Sequence, residues 1–344
     1  MSTLGIGIVG FGFMGRTHLE AYRRAAKDRF DCQVRAIYSL DPPGFGGEGN
    51  VQTGADDEVD LDALGIRWSE QIEQLLEADD IDLISICTPT DTHIDLAIEA
   101  LEQGKHVLLE KPVALTSSEV QRLIDVDGKT DSLCMPAMCM RFWPGWSWLR
   151  EMVQSAQLGP VKSAFFQRIG AAPGWSQDFY LDEKRSGGAL MDLHIHDADF
   201  VVATFGVPDE VSTSGTRSQL VTQYRYPDGP SSVVAEAAWY PDPSYPFQMR
   251  YRVGFADAVA DFDLSRGAEA LHLHRGGAVE VIELPTGNGY DGEVRHLLQA
   301  ITDRSERIHP DLSEACTVLQ MVEAEGQSID ENRAVKMVRS RGRA

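Results

Sequence analysis

The stretch Gly187–Phe200, GGALMDLHIHDADF, sets two histidines and three aspartates within the eight residues from Asp192 to Asp199. Asp192 and His196 are four apart, so a helix puts them on one face, with Asp199 a turn further along. A carboxylate at that spacing can orient an imidazole and raise its basicity, which makes His196 a candidate general base held by Asp192. His194 is only two residues from His196 and points largely elsewhere on a helix. The two histidines therefore do not share a metal. Asp192, His196 and Asp199 could still bind a cation, but no further ligand cluster stands beside them where zinc sites usually need three or four ligands, so no metal is expected. The competing reading is a solvated helix face carrying ordinary polar residues.

A second pattern has a different use. Gly10, Gly12 and Gly15 form G-x-G-x-x-G in GIVGFGFMGRTH. The first glycine permits a tight turn, the second lets backbone approach a pyrophosphate, and the third lets helix and strand pack closely. The helix that starts at Phe13 and Met14 turns its N–H groups and its positive dipole end toward the phosphates. The motif is weak alone, but it follows a strand and precedes a helix, which is the context dinucleotide binding requires. Ser39 falls where NAD binders carry the acid that holds the ribose 2′-hydroxyl, and Asp41 lies two further on. Serine removes the repulsion toward a 2′-phosphate, no arginine follows to hold one, and the choice between NAD and NADP stays open.

The elements needed to position these residues are legible. LGIGIVG, CQVRAIYS, IDLISICT and KHVLLE read as strands. They alternate with helical runs in FMGRTHLEAYRRAAKD, SEQIEQLLEA (with Ser69 as N-cap) and DTHIDLAIEALEQG, the last closed by Gly104. That alternation implies parallel pairing through right-handed crossovers, a doubly wound sheet, and a ligand crevice at the carboxyl ends of the strands. Lys111 follows HVLLE at such an end, where an ammonium could polarise a carbonyl or stabilise an alkoxide. A surface lysine closing a strand is the plainer alternative. Farther on, SSVVAEAAWY, YRVGFADAVADFDL and GAVEVIEL suggest an open, largely antiparallel sheet. GEVRHLLQAI and DLSEACTVLQMVEAEGQSI read as helices, and DPPGFGGEGNVQTG as a loop.

Composition excludes several classes. The 344 residues suffice for two domains, expected as an NAD(P)-binding Rossmann domain over 1–135 and an α+β domain over 136–344, whose substrate-binding and oligomerisation roles are implied only by the resemblance given next. The formal net charge of −22 argues against nucleic-acid binding, which needs basic surface. No apolar run approaches the length of a membrane helix. Five cysteines without a CxxC pair and an N-terminus without a basic leader fit a cytoplasmic protein.

Three ordered motifs then carry a resemblance. Thr88, Pro89 and His93 in TPTDTH, then Gly104, Lys105, His106, Val107, Glu110, Lys111 and Pro112 in GKHVLLEKP, and Gly187, Gly188, Asp192 and His196 all stand at matching spacing. Together they resemble the Gfo/Idh/MocA oxidoreductases, relatives of glucose-fructose oxidoreductase and inositol dehydrogenase. The resemblance covers nearly the whole chain and is weakest from about 205 to 285. It implies an NAD(P)-dependent dehydrogenase or reductase acting on a sugar, cyclitol or related polyol. In that reading Lys111, Asp192 and His196 are catalytic, and Thr88, Pro89, His93, Glu110 and Lys111 join the glycine loop and Ser39 around the cofactor. It also implies a homodimer or homotetramer formed through the C-terminal sheet. Arg141, Trp143 and Trp175 are softer substrate candidates. His194 departs from the family's D-x-G-x-H, and either lines the substrate pocket or is a satisfied buried histidine. An NAD-dependent glycoside hydrolase and a non-catalytic NAD(P)-sensing regulator are the alternatives on the same fold.

Overall fold

The computed structural model describes residues 3–40, 59–174, 177–180, 182–303 and 305–337. Asp41 with the rest of the loop DPPGFGGEGNVQTG (41–54), and Trp175, lie outside the described residues.

The first compact unit holds 1–142 together with 287–316. Its sheet has six strands: β1 (Leu4–Val9), β2 (Cys32–Tyr38), β3 (Arg67–Ser69), β4 (Leu83–Ile86), β5 (His106–Glu110) and β6 (Cys134–Ala137). All pair parallel in the order β3-β2-β1-β4-β5-β6. The order reverses between β1 and β4, and this switch point is where such sheets open a crevice. β4 is buried at every position, as a strand covered on both faces must be. Helix α1 (Phe13–Lys27) lays Leu19, Tyr22 and Ala25 on this sheet. Helix α2 (His93–Glu102) ends two residues before Gly104, whose φ of +75° turns the chain into β5. The expected helix after Ser69 is shorter than its sequence suggests. Ser69 closes β3, its Oγ accepts from the Gln71 N–H at 2.9 Å, and only Glu73–Leu76 is helical.

A single boundary near 135 does not describe this packing. The helix Gly289–Thr302 returns to the first unit and buries Val294, Leu297 and Leu298 in the core formed by Ile6, Ile8, Leu19 and Leu108. Asp291 caps that helix through Asn288 and also accepts from Arg24 Nε of α1 at 2.7 Å. Three fully buried aliphatic side chains contribute about 1.5–3 kcal/mol each, enough to fix the segment there.

The second unit holds 143–286 and 317–344. Its nine strands are β7 (Val161–Ala171), β8 (Glu210–Gly215), β9 (Gln219–Arg225), β10 (Ser232–Tyr240), β11 (Gln248–Phe255), β12 (Val259–Asp263), β13 (Leu271–Arg275), β14 (Ala278–Ile282) and β15 (Val335–Lys336). They run in the order β14-β13-β12-β11-β7-β10-β9-β8-β15, antiparallel except for β7 with β10. β9 alternates exposed and buried at every residue, the pattern of a sheet with one packed face. On that face Trp146 meets Phe200 edge-on at 4.8 Å and Tyr251 at 5.4 Å. Aromatic packing of this kind holds the helices Pro144–Ser155 and Ile195–Phe205 to the sheet. Among the described residues no helix is long and apolar enough to cross a membrane.

Candidate active site

Four strand ends at the carboxyl edge of the six-stranded sheet carry the expected cofactor residues. After β1, Gly10 adopts a φ of +90°, and a Cβ there would stand 2.8 Å from the Cys87 carbonyl oxygen. A Cβ at Gly15 would come within 2.1 Å of the Gly10 oxygen. At Gly12 it would meet nothing within 4 Å. The first and third glycines are therefore demanded by the protein's own packing, whereas the second keeps open space at the start of α1. Gly12 is exposed, Phe13 and Met14 are half-buried, and α1 opens without a side-chain cap. This is a cradle that fits a pyrophosphate. Ser39 directly follows β2, and its Oγ accepts from Trp68 Nε1 at 3.0 Å.

After β4, Thr92 donates to Thr88 Oγ1 at 2.7 Å and to the Pro89 oxygen at 2.8 Å, closing a tight turn. His93 is buried, with Nε2 2.9 Å from the Thr88 oxygen and Nδ1 2.9 Å from the Pro112 oxygen. Burial lowers its pKa, partly opposed by those two carbonyls. His93 thus pins the turn after β4 to the turn after β5, and its ring edges are spent on protein. Glu110 is also buried. Thr88, Pro89 and Lys111 do keep exposed surface. The Lys111–Pro112 bond is cis.

Sequence reasoning passed over the group beneath these turns. His18 of α1 is fully buried, with Nδ1 2.7 Å from Ser85 Oγ and Nε2 2.9 Å from Glu110 Oε1. Glu293, on the returning helix, sits 3.9 Å from the same Nε2. A histidine beside Leu19 and Tyr22 on the packed face of a helix was the available signal, since a buried imidazole requires a partner.

In the second unit the chain enters the Asp192 stretch through Gly187 and Gly188, both at positive φ. It winds as a π-turn over Leu190–His194 before the helix Ile195–Phe205, where one continuous helix was expected. Such π-turns occur most often at functional sites. From Met191 to Phe200, only Asp192 and His196 are not buried. Asp199, expected a turn along the same face, is fully buried.

His194 is a buried network residue, the second of its two expected readings. It has no exposed surface, its Nε2 lies 3.1 Å from Tyr224 Oη, and Glu325 Oε2 is 2.8 Å away at ion-pair separation without hydrogen-bond alignment. Burial alone would lower its pKa, but Glu325 and then Asp197 raise it above the usual histidine value. Nearby, Arg168 grips Asp197 with two bonds of 3.0 and 3.2 Å. Arg141 and Trp143 are also withdrawn from substrate. Arg141 is buried with Nη1 2.9 Å from Glu314 Oε1, and Trp143 is buried at the start of its helix. Trp175, as noted, lies outside the described residues.

Residues 4–138 match the family model described as the oxidoreductase family, NAD-binding Rossmann fold, and 146–244 match the Gfo/Idh/MocA C-terminal domain. The chain is 26% identical to inositol 2-dehydrogenase of Rhizobium meliloti over 97% of its own length and 99% of that protein. It is 34% identical to the NAD(+)-dependent scyllo-inositol 2-dehydrogenase of Bacillus subtilis, over 44% of this chain and 43% of that one. A structure of levoglucosan dehydrogenase in complex with NADH and L-sorbose superposes with a TM-score of 0.81 at 19% identity, covering 97% of this chain and 98% of that one, a likeness of fold.

Proposed function

We propose, from the premise that this chain belongs to the Gfo/Idh/MocA oxidoreductase family, that it is an NAD(P)-dependent dehydrogenase or reductase acting on a carbinol carbon of a sugar, cyclitol or related polyol. When bound, the nicotinamide supplies the hydride acceptor or donor. The chain's own residues do the rest. Gly12 and the start of α1 hold the pyrophosphate. Asp192 orients the His196 imidazole, and His196 takes the hydroxyl proton in the oxidative direction. The Lys111 ammonium stabilises the developing alkoxide charge.

The observation that carries this reading is the burial pattern of the Asp192 stretch. Every other residue from Met191 to Phe200 is buried, and the two groups suited to hold and move a proton are not. A solvated helix face would have left Asp197 and Asp199 exposed as well. The relatives named for inositol and for levoglucosan support a polyol as substrate. The exposed valines on strands of the open sheet, Val221, Val259, Val279 and Val281, support a homodimer or homotetramer built through that sheet.

The test is a screen of free sugars and cyclitols with NAD and with NADP, read as reduced-nicotinamide absorbance. Net cofactor reduction with a free polyol is expected. Glycoside cleavage without net reduction would replace this reading with the hydrolase, and binding of cofactor without any turnover would replace it with the sensor.

A further inference from the structure

Glu110 stands between two elements that the proposed chemistry needs in register. Its Oε1 is 2.9 Å from His18 Nε2, three residues beyond the last glycine of the cofactor loop. Its Oε2 accepts from the Lys111 backbone N–H at 3.0 Å. One carboxylate therefore joins α1, which begins at the pyrophosphate cradle, to the lysine turn after β5. His18 is fixed from its other side by Ser85 of β4 at 2.7 Å.

We infer that Glu110 is a positioning residue for Lys111, with His18 and Glu293 as the buried pair that keeps its carboxylate in place. The inference rests on the assignment of Lys111 to the alkoxide. Glu293 has no exposed surface, and neither of its carboxyl oxygens has a hydrogen-bond partner. An ionised carboxylate left that way would be costly by several kcal/mol, so Glu293 holds a proton. His18 is then committed to Glu110, whose other carboxyl oxygen accepts from the Lys111 N–H. The three groups lie within 4.8 Å of one another, close enough to hold a cation. A proton on His18 and another on Glu293 already balance the charge that a cation would otherwise meet.

The experiment compares Glu110→Ala, Glu110→Asp, Glu110→Gln and Lys111→Ala in the full chain, on one active polyol. Each is read by kcat, by cofactor Kd from intrinsic fluorescence, and by thermal unfolding. Glu110→Ala removes both acceptors and should lower kcat ten- to a hundredfold, the scale of a displaced catalytic group, with cofactor Kd changed less than threefold. Glu110→Asp keeps the charge but shortens the arm by one carbon–carbon bond, about 1.5 Å. It should show the same loss of kcat and covers the case in which alanine does not fold. Glu110→Gln should recover most of kcat, because its amide can donate to a neutral His18 and still accept from Lys111.

Wild-type kcat in both Glu110→Ala and Glu110→Asp would overturn the inference. So would a parallel fall of kcat, cofactor affinity and stability, which is the mark of a merely structural glutamate. Stoichiometric metal in the purified protein would overturn the assignment of protons to this group. Lys111→Ala separates the two levels: near-wild-type turnover in that variant removes the alkoxide role itself, whereas a dead Lys111→Ala beside a fully active Glu110→Ala removes only the positioning.

Discussion

Each unit buries a histidine beside a glutamate, close in sequence or by hydrogen bond to a proposed catalytic side chain, and the two arrangements are balanced differently. In the first unit His18 faces two carboxyl groups, Glu110 and Glu293, and one must stay neutral. In the second unit one carboxyl group faces each base: Glu325 lies 2.8 Å from His194 and Asp197 is gripped by Arg168, with Tyr224 alongside. A surplus acid makes a cluster sensitive to pH. A matched cluster depends instead on every partner being present.

The largest expected effect breaks the matched cluster. Glu325→Ala leaves His194 buried without the group that raises its pKa. Removing one partner of a buried pair costs about 3–5 kcal/mol, read as a fall in the unfolding midpoint of the second unit. Replacing both, as His194→Leu with Glu325→Leu, should recover much of that loss. If the double variant is no more stable than Glu325→Ala, the pair is not the reason for the loss.

A smaller effect sharpens the reading of the cofactor loop. Gly15→Ala drives a methyl group into the Gly10 carbonyl and should cost about 1–3 kcal/mol of stability, as overpacking does. Gly12→Val meets no protein atom at its Cβ, so stability should hold while affinity for both NAD and NADP falls. The contrast is measured by thermal melts beside cofactor titrations. Unchanged affinity in a folded Gly12→Val would remove this loop from the cofactor.

The smallest effect concerns pH. Burial would lower the pKa of His18, but Cys87 and then Glu110 raise it well above the usual histidine value. Both His18 and His194 therefore lend stability that is complete below their ordinary value of 6.5 and is lost as pH rises through their folded values. Glu293 is raised by burial, with His18 opposing and Glu110 and Asp291 adding to the rise. The unfolded chain releases that proton near 4.5 while the folded one keeps it, so stability starts to fall from there upward. The first unit should lose stability over the wider window, and Glu293→Gln should remove its acidic end. Melting profiles against pH that coincide for wild type and Glu293→Gln would place the proton elsewhere.

The contrast also shows what a sequence can reveal. Four strands of the first sheet, the glycine turn, and the ends where Thr88 and Lys111 stand were legible, because hydrophobic runs and turn residues are local signals, whereas β3 and β6, of three and four residues, are too short to give one. Asp192 and His196 were legible from helical spacing, although the π-turn between them was not. Glu293 and Glu325 were invisible as partners because they arrive from elements 275 and 131 positions away from His18 and His194. Burial decided the remaining cases. Arg141, Trp143 and His194 have side chains that suit a polyol or an acid, but packing spends them inside the protein.

The central claim of the proposed function is that Lys111 and His196 serve the same step of one reaction, and a double-variant cycle tests it most directly. Steady-state kcat would be measured for wild type, Lys111→Ala, His196→Ala and the combined variant on one polyol, with cofactor affinity checked in each. Each single variant should lose about two to four orders of magnitude with cofactor bound as in the wild type, and the combination should lose far less than the product of the two. Near-wild-type turnover in His196→Ala, or losses that simply multiply, would contradict the account.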